Sequence, residues 1–398
     1  MKEIKIADIM LPPLFFMIFQ LLMYIFYDGF AYKYTDTTFF LVVSLYIASI
    51  VAMLFFSFPE KKNIIKYSGK DRDIGLWDYF LLIIVLFFIL KPTVVLYFMG
   101  KELGFDYLRG NYFSTSFIRE KAYGSMFFAI MTQFYISVLI WFYLILIIDS
   151  KKKNFIFYII LISMVLYNLS FAGRFNMYIV LLILYYKTII QGGRWYDYIK
   201  KYSPVFIIFS MLSLFTVLIR SFNDDVDYFS YLDELLVLFE YHVIPPFLMS
   251  QKIDTNILLN NGYPFSSVFE GFFAPFFYFL GSGFGGLPQG HISEIFSEFT
   301  LYSIRTDIYY NAYSTFYSLF YYDFGLMAPI FVFLFVFLVL SLNKIIIDSG
   351  IRVKYLIFIS LMFYFSLFQI SILSYGVLLL LGYIFFYSIY KNLIHYIK

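Results

Sequence analysis

The sequence predicts an all-α polytopic integral membrane protein with about ten transmembrane helices, since apolar stretches long enough to cross a bilayer recur along the chain. Of the 398 residues, 62% are hydrophobic and 14% are charged, whereas soluble domains have about 45–50% apolar and about 25% charged residues. The absence of cysteine excludes disulfides and thiolate metal sites. The small net charge of +3 gives no argument for a nucleic-acid partner.

Hydropathy and length define the membrane spans. They are placed at residues 9–27, 38–58, 78–98, 125–148, 155–171, 175–190, 203–220, 326–342, 355–374 and 376–394. The fifth and sixth spans form a tight hairpin, as do the last two. The first stretch is too long for the apolar core of a signal peptide and no small-residue cleavage pattern follows it, so we expect a retained helix.

The basic residues predict that both termini are cytoplasmic. With the N-terminus inside, the inner segments carry about twice as many Lys and Arg residues as the outer ones, and the bias holds loop by loop. The predicted organisation is then helices 1–7 in residues 1–220, a large outer loop in residues 221–325 and helices 8–10 in residues 326–398. A loop of this length in a compact protein is usually functional.

Three parts of the outer loop have a predicted structure. Residues 228–249 have apolar residues at helical spacing, which indicates an amphipathic helix lying at the membrane interface. Residues 268–280 are apolar but too short to span, so they are interpreted as re-entrant or interfacial. Residues 291–305 suggest another short helix. The glycines of GSGFGG and the acids of NDDVD are interpreted as a turn and a solvated cluster, so no metal or cofactor is expected.

The candidate general bases lie in this loop. His291 and His242 could each serve, although a single histidine is more often a hydrogen-bonded structural residue. Glu270 is an acid within the apolar run VFEGFF, and acids at membrane depth are candidate site residues, with a salt bridge to an outer arginine as the alternative. His395, near the C-terminal end, is interpreted as incidental.

Four arginines are predicted on the outer side, where positive charge is normally scarce. They are Arg109, Arg174, Arg220 and Arg305. The planar guanidinium suits phosphate and pyrophosphate and stays charged near low dielectric. Snorkelling toward lipid headgroups, or pairing with acids of the loop, is the alternative interpretation.

The stretch YNAYSTFYSLFYYDFG at residues 310–325 brings polar residues to the start of the eighth span. If it is helical, Asn311, Thr315, Ser318 and Tyr322 form one stripe, which should face a water-filled cavity or another helix. Asp323 and Gly325 mark the junction with the span, where glycine would allow a close backbone approach.

Three motifs carry a family resemblance: LRGNYFS, FAGRFNM and the N-x-x-x-T-x7-D-F-G pattern of residues 311–325. Together with the large outer loop, the chain resembles the Wzy-type O-antigen polymerases, or oligosaccharide repeat-unit polymerases. The resemblance implies metal-independent glycosyl transfer at the periplasmic face of the bacterial inner membrane. The partners it implies are undecaprenyl-pyrophosphate-linked oligosaccharide, membrane lipid and, as a further candidate, a chain-length regulator.

The resemblance also assigns roles to residues. Arg174 and Arg220, with Arg109 and Arg305 as further candidates, would bind the pyrophosphate leaving group, while His291 or Glu270 would deprotonate the acceptor hydroxyl. Asn311, Thr315 and Asp323 would orient sugar or shape the cavity. The related lipopolysaccharide ligases have a His-Asn pair where this chain has Tyr310 and Asn311, which leaves the base unassigned.

Three other classes are weighed against the polymerase. A lipid-phosphate-sugar glycosyltransferase would be expected to have acids in a long first outer loop, whereas residues 28–37 form a short one with Asp28 and Asp36. A lipid-linked oligosaccharide flippase would be expected to have about twelve helices with short loops and often internal repeats. A membrane acyltransferase would be expected to have a histidine near an early basic motif, and the first histidine here is His242.

Overall fold

The structure is a computed structural model. It describes residues 2–57, 64–67, 73–105, 107–108, 116–170, 175–221, 231–258, 265–270, 272, 288–310, 315–368 and 372–397. These residues are mostly helical, as the sequence predicts. The spans predicted at 175–190 and 376–394 correspond to helices Phe175–Ile190 and Tyr375–Ile397.

The secondary structure consists of long helices and a few short strands. The helices are α1 (Ile6–Phe26), α2 (Asp36–Ser57), α3 (Leu76–Leu103), α4 (Ser116–Tyr123), α5 (residues 126–147), α6 (Asn154–Leu169), α7 (Phe175–Ile190), α8 (Trp195–Ser221), α9 (Tyr231–Asp254), α10 (Pro288–Ser297), α11 (Phe316–Phe324), α12 (Ala328–Ser341), α13 (Ser349–Ser366) and α14 (Tyr375–Ile397). The strands are β1 (Lys2–Lys5), β2 (Ile64–Tyr67), β3 (Leu301–Tyr302) and β4 (Tyr309–Tyr310).

Five helical segments within the described residues are long and apolar enough to cross a membrane. They are Ile6–Phe26, Asp36–Ser57, Leu76–Leu103, Phe316–Lys344 and Ser349–Ser366. Shorter apolar helices occur at Ser137–Ile147, Asn154–Leu169, Asn176–Ile190 and Tyr375–Tyr390. The protein is therefore a helical, membrane-embedded one, while the count of ten spans and their topology stay predictions.

The chain folds as two compact units, which follow a different division from the three sequence segments. The first unit is Met1–Ile4 with Lys66–Phe229, and the second is Lys5–Ile65 with Ser230–Lys398. In the first unit α6 packs against α3, α5 and α7, and α7 packs against α8. In the second unit α1 packs against α2, α9 and α13, and α2 packs against α12.

The predicted interfacial helix at 228–249 is a core helix of the second unit instead. Helix α9 packs against α1 and α2, and all of residues 243–250 are buried. A helix buried on every side is not an amphipathic surface helix. The spacing of apolar residues predicted a single buried face, whereas all eight residues of the second half, VIPPFLMS, are buried, including the polar Ser250.

The short helix predicted at 291–305 is confirmed only in its first half. Helix α10 ends at Ser297, and β3 and β4 then pair antiparallel with Leu301 opposite Tyr310. The turn between these strands carries Arg305. The predicted re-entrant run at 268–280 lies mostly outside the described residues, as do GSGFGG and NDDVD.

Candidate functional site

Glu270 precedes α10 in the second unit, and its carboxylate lies against the N-terminus of that helix. The backbone N–H of Gln289 donates to Glu270 Oε2 at 2.7 Å, and the Tyr375 hydroxyl donates to Oε1 at 2.7 Å. The side chain is 3% exposed. A carboxylate is favoured at this position because the first N–H groups of a helix have no partner within the helix.

Burial raises the pKa of the Glu270 carboxyl from 4.5 to about 7, although the hydrogen bonds from Gln289 and Tyr375 oppose the shift. Desolvation has this effect because it disfavours the charged form of an acid. The described residues form no salt bridge to Glu270, so an outer arginine does not explain it there. A carboxyl with a pKa near neutrality can accept and release a proton at physiological pH.

Asp323 organises the backbone that leads to Glu270. Its carboxylate accepts from the backbone N–H of Ser267 at 3.1 Å and from that of Val268 at 2.9 Å, and also from the Ser266 hydroxyl at 3.4 Å. The Ser267 hydroxyl donates to the carbonyl of Leu319, one turn before Asp323 on α11. Asp323 is 4% exposed, so in the structure it shapes the site by fixing residues 266–268.

Thr315 does not share a helix with Ser318 and Tyr322, as the predicted polar stripe requires. Tyr310 ends strand β4, and Thr315 has an extended backbone with ψ of 159° immediately before α11 begins at Phe316. Thr315 is 1% exposed and its hydroxyl lies 3.5 Å from that of Ser318. Gly325 has φ of +53°, and a Cβ there would meet nothing within 4 Å. Gly325 therefore ends α11 with a positive φ and a ψ of −128°, a backbone conformation that glycine tolerates, and it does not serve the predicted close approach.

Arg305 projects from the turn between β3 and β4. Its guanidinium lies 2.5 Å from Asp28 and 4.9 Å from the centre of the Tyr27 ring. The side chain is 48% exposed and that of Asp28 is 84% exposed. Arg305 thus pairs with an acid that follows α1 and not with one of the large loop, and its exposed position leaves the guanidinium accessible to an anion.

The histidines differ in environment. His291 is exposed on α10, two residues after the Gln289 N–H that binds Glu270. His242 Nδ1 is hydrogen-bonded to the carbonyl of Leu238 at 2.7 Å, and its ring contacts Phe16 and Phe368. This packing agrees with a structural histidine. The structure brings Glu270 and the helix of His291 together, as the sequence alone could not indicate.

The structure does not describe the side chains of the remaining predicted site residues. Arg109, Arg174 and Asn311 lie outside the described residues, and Arg220 is described only by its place near the end of α8. Arg220 belongs to the first unit, and Arg305 to the second. Within the described residues, no group of three or more His, Asp or Glu side chains is placed to hold a metal ion.

Sequence reasoning missed Glu240, which is 0% exposed on α9. Its carboxylate accepts hydrogen bonds from Tyr27, Ser303 and Thr306. The only signal in the sequence was its position one helical turn before the apolar run of 243–250, which indicates that this end of the helix is also enclosed.

No family model, no curated protein and no solved structure matches the chain. The class that the fold defines is a membrane-embedded, mostly helical protein. Buried carboxylates in its second unit are held by hydroxyl and backbone donors.

Proposed function

We propose that the chain is a polysaccharide repeat-unit polymerase of the Wzy type. It would act as a metal-independent glycosyltransferase that joins undecaprenyl-pyrophosphate-linked oligosaccharides at the periplasmic face of a bacterial inner membrane. The observation that carries the proposal is the buried carboxyl of Glu270, held by the Gln289 N–H and the Tyr375 hydroxyl, where burial raises its pKa to about 7. A general base works best when its pKa lies near the operating pH, and the basic residues predict this segment on the outer side.

In the proposed reaction, a hydroxyl oxygen of the acceptor attacks the anomeric carbon of the donor sugar. The new carbon–oxygen bond forms while the bond to the diphosphate oxygen breaks, and the diphosphate leaves with the bonding electron pair. Glu270 accepts the proton of the hydroxyl. Each of its oxygens receives one hydrogen bond, and since a carboxylate has about four lone-pair sites, acceptor capacity is left for a substrate hydroxyl. His291 is the alternative base.

The cations proposed for the leaving diphosphate are Arg174 and Arg220, with Arg109 and Arg305 as further candidates. Fixed cations stabilise the charge that develops on a departing phosphate oxygen. Support from the structure comes from Arg305, whose guanidinium is half exposed beside Asp28. Donors from Ser266, Ser267 and Val268 occupy both oxygens of the Asp323 carboxylate, which favours a role in shaping the site over direct contact with sugar. The Thr315 hydroxyl lies against that of Ser318, which favours the same role.

The test is the surface-glycan ladder of a strain that lacks only this gene, compared on a gel with strains complemented by wild type and variants. Collapse of the ladder to a single repeat unit on its carrier is the expected result, because units are then exported but not joined. Loss of even the single unit from the surface would favour the flippase, and an intact ladder would contradict both functions.

The variants sharpen this test. Glu270→Gln removes the base while keeping an isosteric hydrogen-bonding group, so we expect the single-unit phenotype with normal protein level in the membrane. Glu294→Gln is the matched control, because Glu294 is exposed on the neighbouring α10. A full ladder from Glu270→Gln would remove Glu270 from the mechanism and return the role to His291.

A further inference from the structure

Glu240 is a buried carboxylate enclosed by hydroxyl groups of the second unit. Its Oε1 accepts from the Tyr27 hydroxyl at 2.5 Å and from Ser303 Oγ at 2.7 Å, and its Oε2 accepts from Thr306 Oγ1 at 2.9 Å. No salt bridge to it occurs within the described residues. Burial of a carboxylate is costly unless hydrogen bonds compensate, so these three donors and the carboxylate hold one another in place.

All three donors belong to the immediate surroundings of Arg305. Ser303 and Thr306 flank it on the turn, and Ser303 Oγ also accepts from the backbone N–H of Arg305 and of Thr306, both at 3.2 Å. The Tyr27 ring lies beneath the guanidinium. A single carboxylate therefore fixes both the backbone that carries Arg305 and the ring on which it rests.

The same turn is attached to the end of α1 by the backbone. The N–H of Ile304 donates to the carbonyl of Gly29 at 2.8 Å, and the N–H of Ala31 donates to the carbonyl of Tyr302 at 3.0 Å. The base of the turn is thus rigid, while the guanidinium at its tip is half exposed. Rigid support with an exposed charged end is the arrangement that favours recognition of a ligand over internal packing.

The partner of Arg305 is easily replaced. Asp28 is 84% exposed, and exposed ion pairs contribute little to stability because water and salt screen them. An anion with two oxygens can form the bidentate contact that suits a guanidinium. A diphosphate arriving from solvent would therefore displace Asp28 at little cost.

We infer that Glu240 is a positioning residue for Arg305, and that Arg305 on this turn binds a diphosphate in exchange for Asp28. The identity of that diphosphate, the leaving group of a lipid-linked donor, rests on the proposed function. The geometry of the turn and the binding of a diphosphate by Arg305 do not rest on the proposed function.

The test measures binding of inorganic pyrophosphate to the purified full chain in nanodiscs of neutral phosphatidylcholine, by calorimetry. Arg305→Ala should weaken binding about tenfold or more, since it removes charge-assisted hydrogen bonds. Asp28→Asn should strengthen binding because the competing carboxylate is lost. Glu240→Gln should weaken binding, and in the Arg305→Ala background it should cause no further loss.

The sign of the Glu240→Gln effect distinguishes positioning from simple electrostatics. Removal of a negative charge near the site would by itself strengthen anion binding, so tighter binding would overturn the inference, as would unchanged binding by Arg305→Ala. Thr306→Val removes the hydroxyl that donates to Glu240 without changing the charge. If Glu240→Gln does not fold, this variant replaces it in the test, and it too should weaken binding. Glu294→Gln, which removes an exposed carboxylate from α10, should leave binding unchanged.

The two proposals can fail separately. If pyrophosphate binding depends on Arg305 and Glu240 while the deletion strain keeps a normal glycan ladder, the inference stands and the proposed function is wrong. If the ladder collapses on deletion but Arg305→Ala binds pyrophosphate as wild type does, the proposed function stands and the inference is wrong.

Discussion

Buried carboxylates are held differently in the two units. In the first unit both oxygens of Asp78 lie 2.8 Å from Lys153 Nζ, and the two side chains are 5% and 10% exposed. In the second unit Glu240 and Glu270 accept from hydroxyl and backbone donors, with no salt bridge within the described residues. The first arrangement pairs the carboxylate with a cation, whereas the second provides only neutral donors.

This difference indicates where chemistry can occur. In a buried ion pair the two opposite charges compensate each other. The Glu270 carboxyl, held by neutral donors, responds to pH, since burial raises its pKa to about 7 and so brings its charged and neutral forms close in free energy near neutral pH. Glu270 of the second unit is therefore suited to proton transfer.

The largest expected effect on stability is that of breaking the buried ion pair between Lys153 and Asp78. Lys153→Met leaves Asp78 charged and buried, and loss of one partner of a buried pair costs about 3–5 kcal/mol. The midpoint of thermal unfolding in detergent should fall sharply. The double variant Lys153→Met with Asp78→Asn should recover part of the loss, since no unpaired charge is left. Equal midpoints for Lys153→Met and wild type would contradict the contrast between the units.

The second prediction concerns the pH dependence that Glu270 causes. Its pKa of about 7 in the folded protein lies above the usual 4.5, so the stability it contributes is complete below pH 4.5 and is lost as pH rises toward 7. This difference in pKa corresponds to a change of about 3 kcal/mol at most in the free energy of unfolding. Unfolding midpoints should fall for wild type over this range and stay flatter for Glu270→Gln. Activity should rise over the same range, because the base must lose its proton. Parallel curves for the two proteins would show that Glu270 does not titrate there.

The stability that Asp254 contributes should depend on pH in the opposite direction, and the change should be smaller. Burial raises the pKa of this carboxyl, but hydrogen bonds from Thr38, Tyr32 and Thr35 together bring the pKa below its usual 3.8. Its stabilising effect on the start of α2 is therefore present above pH 3.8 and lost in stronger acid. Asp254→Asn should cost about 1 kcal/mol at neutral pH, as expected for loss of a helix-cap contact. A loss that persists in strong acid would mean that packing, and not charge, is responsible.

The smallest effect is expected at the exposed pair of Lys152 and Asp73, whose side chains are 54% and 84% exposed. Asp73→Asn should change stability by less than about 1 kcal/mol, and the change should shrink with added salt. Unfolding midpoints at low and high salt provide the measurement. Because Lys152 is adjacent to Lys153, this pair also shows whether burial, and not sequence position, sets the cost of a broken pair.

Long apolar stretches could be located from the sequence because hydropathy depends on each stretch alone. The run at 175–190 corresponds to the helix Phe175–Ile190. Helix α9 was recognised as a helix but placed at the interface, since periodicity reveals a helix without revealing what covers it. Its apolar second half packs against α1 and α2, and that packing depends on residues distant in the chain.

The site was predictable only in part for the same reason. Glu270 was a candidate because an acid within VFEGFF is chemically unusual, and the structure adds its contacts with Gln289 and Tyr375. Glu240 resembled the other acids of its segment. Its hydroxyl donors are supplied by residues 213 and 63 positions away, so nothing local distinguished it.

The sequence by itself determined that this protein is helical and membrane-embedded, because composition and apolar run length decide the transfer of a segment into lipid. Only the tertiary structure decided which carboxylates are buried and whether a cation, a hydroxyl or a helix N-terminus faces each one. The physical reason is that the free energy of a charge depends on its neighbours in space. Folding brings those neighbours together from residues far apart in the chain.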